Sequence, residues 1–172
     1  RGIMTAVMIP LHPPAVYIHE SVMSRPAWRA RAEAVLAGLA EPVEPVIYRD
    51  EDLPWMMHDQ GLLDGRVAMG SLDEVPDPVV LLNTFRFDGR RDEAIAALAG
   101  PDGKAPGGYH LATALAGYEP WSWECYNQPG DPNRTDKVCR PCWRLHFQNG
   151  CAHKCAYCNL GGLLVSMVNV ED

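Results

Sequence analysis

What the chain lacks narrows its class before any motif is read. No apolar run reaches the eighteen or so residues that a membrane-crossing helix needs. The opening RGIMTAVMIPLHPP has one arginine and a short apolar patch broken by Pro10, Pro13 and Pro14. No small-residue cleavage pattern follows it, so a secretory leader is not expected. No stripe of lysine and arginine favours nucleic-acid phosphates. Internal repeats, coiled-coil heptads, low-complexity tracts and a glycine-rich phosphate fingerprint are also missing. The first 124 residues contain no cysteine.

The cysteines that do occur are crowded. Cys125, Cys139, Cys142, Cys151, Cys155 and Cys158 fall within 34 consecutive positions. Without a leader, such crowding reads as metal or cluster ligands in a reducing compartment rather than as a disulfide framework. The expected location is cytoplasmic. The chain opens on Arg1; either Met4 is the true start or the sequence is a fragment. Its 172 residues are enough for one good core, or one and a half small domains. Charge is uneven: residues 1–138 carry twelve Lys/Arg against twenty Asp/Glu, and residues 139–172 carry three against two.

Hydrophobic patterning places the elements. AVYIHE (15–20), PVIYRD (45–50) and PVVLLN (78–83) read as strands, the last continuously apolar and so buried on both faces. SRPAWRARAEAVLAGLA reads as a helix with Ser24 as N-cap and Pro26 in its first turn. Trp28, Ala32, Val35, Leu36 and Leu39 form its apolar face, with Arg29, Arg31 and Glu33 off it. These elements predict a small N-terminal α/β domain over 14–85. Residues 86–138 read as a loop-rich insertion: one helix at RRDEAIAALAG ended by Gly100-Pro101, then PDGKAPGGYH and QPGDPNRTDK, both turn-rich. Between them Tyr118, Trp121, Trp123 and Tyr126 concentrate, either as a base-stacking surface or as a local mini-core. In 139–172, WRLHFQNG and LLVSMVNV read as strands on either side of CAHKCAYCNLGG.

That loop carries the sharpest signal. Cys151, Cys155 and Cys158 are spaced C-x3-C-x2-C. A [4Fe–4S] cube usually takes four thiolates, so a triple leaves one iron with an open position. Open positions are where metal sites do chemistry. Gly150 lets the backbone turn in, and Ala152, Lys154 and Ala156 are small or flexible spacers.

With Tyr157 just before the last cysteine, the loop resembles the radical S-adenosylmethionine signature, and the surrounding order of segments resembles the spore photoproduct lyase-like family. AVYIHESVMSRPAWRARAEAVL is similar to that family's opening, PVVLLNTFR to a strand ahead of its barrel, and LLVSMVNVED to the strand after its cluster loop. The resemblance implies that 139–172 begins a (β/α)6 partial TIM-like barrel, continuing past Asp172 for about 150–200 residues if the barrel is to close. A chain ending there would be unstable alone and would expose residues 163–170 as a sheet edge. It also implies a [4Fe–4S] cluster on Cys151, Cys155 and Cys158. S-adenosyl-L-methionine would be contacted by Tyr157, Gly161 and Gly162, and an electron donor such as flavodoxin or ferredoxin would drive lyase-like radical chemistry. The implied substrate is pyrimidine-dimer DNA, or another molecule. The family typically carries a tyrosine implicated in hydrogen return after the third cysteine; this chain has Asn159. That departure and the acidic balance both point away from the DNA substrate.

The remaining cysteines leave alternatives open. Cys125, Cys139 and Cys142 form a candidate second metal site, for a second cluster or zinc, with His146 or His110 as fourth ligand. Alternatively they are ordinary reduced cysteines. A zinc-binding, non-catalytic module would use Cys139, Cys142, Cys155 and Cys158 and leave Cys151 over. His153, within the loop, either hydrogen-bonds a cluster sulfur or faces solvent.

Overall fold

The computed structural model describes residues 10–62, 76–100, 103–104, 109–118, 147–152 and 162–170. Five strands form one sheet: β1 (Val16–His19), β2 (Val46–Tyr48), β3 (Val79–Asn83), β4 (Gln148–Gly150) and β5 (Leu163–Met167). Their order is β2-β1-β3-β5-β4. The first four in that order run parallel, and β4 pairs antiparallel with β5. Among the described residues four α-helices accompany them: α1 (Pro26–Ala37), α2 (Leu53–His58), α3 (Arg91–Ala97) and α4 (Tyr109–Leu115). The protein is mixed α/β with a mostly parallel sheet, as the alternation of strand and helix patterns predicts.

Strand alternation sorts side chains into two cores. On one face Val16, Ile18, Val80, Leu82 and Leu164 meet Ala32, Trp28 and Leu36 of α1. On the other, Tyr48, Leu81, Leu163 and Val165 meet Leu53 and Met56 of α2 and Leu111 and Leu115 of α4. The apolar run of β3 is buried on both faces because helices cover both. Truncating Leu82 to alanine there would cost about 2–5 kcal/mol. Segments 14–85, 86–138 and 139–172 all contribute to the second core.

Several local expectations are corrected. Ser24 does not cap α1; Arg25 holds the N-cap position, and its side chain makes no capping bond. A 3-10 turn over Glu20–Ser24 intervenes, and the Ser24 hydroxyl closes it by donating to the Ser21 carbonyl at 2.6 Å. Val35 sits at the edge of the apolar stripe and is 38% exposed. Arg31 reaches the other way, donating to the Val168 carbonyl at 2.5 Å. Helix α3 stops at Ala97, ahead of Gly100-Pro101. Helix α2 was not expected, although Leu53, Met56 and Met57 at i, i+3 and i+4 carry its buried face.

Residues 163–170 do not form an edge. Strand β3 offers β5 five paired positions, from Val79↔Leu163 to Asn83↔Met167, and β4 covers the other side. The edges are β2 and β4. The described strands make an open sheet, and β4 and β5 run antiparallel where successive barrel strands run parallel. Of WRLHFQNG, only Gln148–Gly150 is strand; Phe147 precedes it, and residues 143–146 lie outside the described set.

Candidate functional site

Cys151 follows β4 directly and is half-buried. The base of its loop is shaped by two glycines. Gly150, paired with Leu164, has φ 94°, and a Cβ built on it would overlap the Leu163 carbonyl oxygen. Gly162 has φ 87°, and its carbonyl accepts from the Val79 N–H at 3.0 Å. An L side chain at either position would be strained, so the sequence needs glycine to bring the two ends of the loop together. Gly162 therefore has a backbone role of its own, whatever it contacts.

The other predicted ligands and neighbours lie outside the described residues: Cys155, Cys158, Tyr157 and Gly161, the second-site candidates Cys125, Cys139 and Cys142, and also His146, His153 and Asn159. Of the aromatic group, Trp121, Trp123 and Tyr126 are outside as well. Tyr118 is buried in the core and donates its hydroxyl to Asp88 at 2.8 Å. His110 lies on α4. Among the described residues, no three or more His, Cys, Asp or Glu side chains converge as a metal site.

A polar constellation that sequence reasoning missed lies at the opposite end of the sheet, where β1, β2 and β3 finish. His19 ends β1 and is 4% exposed. The Ser21 N–H donates to its Nδ1 at 3.1 Å, and the Ser21 hydroxyl lies 2.7 Å from the same atom. The Ser21 N–H commits the Nδ1 lone pair, and Nε2 lies 3.2 Å from Asp50 Oδ1 and 3.0 Å from Arg86 Nη2. Arg86, following β3, donates from both terminal nitrogens to Asp50, at 2.5 and 2.6 Å. The Ser21 hydroxyl also meets that of Thr84 at 2.7 Å.

The electrostatics follow from this geometry. Partial burial alone would raise the Asp50 carboxyl, but hydrogen bonds from His19 and Arg86, with the charge of Arg86, hold it well below the usual carboxylate range. Burial would lower Arg86, and the bonds and charge of Asp50 raise it instead. Burial pushes the Tyr48 phenol up. That hydroxyl has no hydrogen-bond partner among the described residues, while its ring packs edge-on to His19 with centroids 5.0 Å apart. Hydroxyl, imidazole and carboxylate stand in an order that can pass a proton. With His19 buried and Ser21 also tied to Thr84, the clear work of the network is to lock three strand ends together.

Two asparagines extend that locking. Asn83 donates to the Leu115 carbonyl and accepts from the Thr84 N–H, each at 2.8 Å. Asn169 accepts from the Phe85 N–H at 2.7 Å and donates to the Phe85 carbonyl at 3.0 Å. The signal for all of these was a polar residue placed just after an apolar run, in YIHE, IYRD, LLNTFR and VNVED. Such positions fall at the carboxyl ends of parallel strands, where α/β folds place function.

Among the described residues, no helix is long and apolar enough to cross a membrane. No family model matches the chain, and no match is found among curated proteins or solved structures.

Proposed function

We propose that the chain belongs to a radical S-adenosylmethionine enzyme. Cys151, Cys155 and Cys158 would hold a [4Fe–4S] cluster, and Tyr157, Gly161 and Gly162 would border the S-adenosylmethionine. The observation that carries this reading is the C-x3-C-x2-C triple, whose first cysteine stands half-buried at the end of β4. When bound, the cluster and its cofactor supply a reductively generated 5′-deoxyadenosyl radical that abstracts hydrogen from substrate. The chain's own part is to present thiolates from a loop whose base Gly150 and Gly162 close. A half-buried cysteine suits cluster ligation, because limited solvent exposure tunes the cluster's potential while the open side admits a cofactor.

A partial barrel belongs to this proposal as an expectation for strands other than β1–β5, since β4 and β5 pair antiparallel. The substrate is proposed to be something other than DNA. Residues 1–138 carry an acidic excess, and Asn159 replaces the expected tyrosine. The test is anaerobic reconstitution of the chain with iron and sulfide. About four of each per chain, with broad visible absorption, is the expected result, and Cys151→Ala should abolish the stable four-iron form. One tightly held zinc and no iron, unchanged in Cys151→Ala, would overturn the reading in favour of the four-cysteine zinc module.

A further inference from the structure

We draw no further inference here: the strongest candidate, the exposed aromatic patch that Phe87 and Phe147 form around Phe85 just past the carboxyl end of β3, is an apolar face, and nothing in the structure shows what covers it.

Discussion

Replacing Asn169 with alanine removes one small side chain and two buried hydrogen bonds. After the last β3–β5 pair, Asn83↔Met167, the backbone makes one more bond, from the Val168 N–H to the Asn83 carbonyl at 2.9 Å. The Asn169 amide then stands in for a further rung, meeting both the N–H and the carbonyl of Phe85. Asn169 and Phe85 are both buried. Alanine would leave a donor and an acceptor in the interior without partners, at about 1–3 kcal/mol each. Water entering the vacated space would recover part of that, so the expected loss is about 3 kcal/mol. With a urea m-value of about 1–3 kcal/mol/M, this corresponds to a midpoint lowered by roughly 1–3 M. Urea unfolding followed by far-UV circular dichroism measures it. Asn169→Leu separates the causes, because leucine fills the space yet bonds nothing and should lose as much as alanine. A loss below about 0.5 kcal/mol in both variants, the range of an ordinary surface change, would refute the argument that Asn169 completes the sheet.

Tyr48→Phe should leave stability unchanged or raise it by up to ~2 kcal/mol, since it removes a buried hydroxyl that bonds nothing; a melting temperature clearly below wild type would show that the hydroxyl has a partner. Asp50 has a depressed carboxyl, so its contribution is fully present above the unfolded value of about 3.9 and declines as pH falls below it. The stability gap between wild type and Asp50→Asn should therefore stay constant above about pH 5 and narrow toward pH 2; a gap that widens on acidification would contradict the sign. Gly150→Ala should destabilise the β4–β5 pairing by at least about 1–3 kcal/mol, because it places an L residue at φ 94° against the Leu163 carbonyl. Hydrogen exchange should then quicken in β4 and β5 while β1 keeps its protection, and equal protection throughout would count against it.

The sequence alone determined the local elements whose cause is local. Apolar runs with β-branched residues gave β1, β2, β3 and β5, and the spacing of Trp28, Ala32 and Leu36 gave α1 with its buried face. It also determined the cysteine triple, because ligand number and spacing are properties of the chain itself. Caps and short helices were less legible. Ser24 lost the N-cap of α1 to a 3-10 turn, and six residues of α2 gave too short a period to stand out. What only the tertiary structure decided is which strand lies beside which. Hydrogen-bond partners between strands are set by whole-sheet packing, and nothing within LLVSMVNV says that it will sit between β3 and β4. The polar cluster follows from that placement. His19, Asp50 and Arg86 are 31 and 36 residues apart along the chain, and they meet because three parallel strands end side by side. His19 is buried and Arg86 largely so while the Asp50 side chain stays exposed, so the pairing gains from low dielectric on one side only.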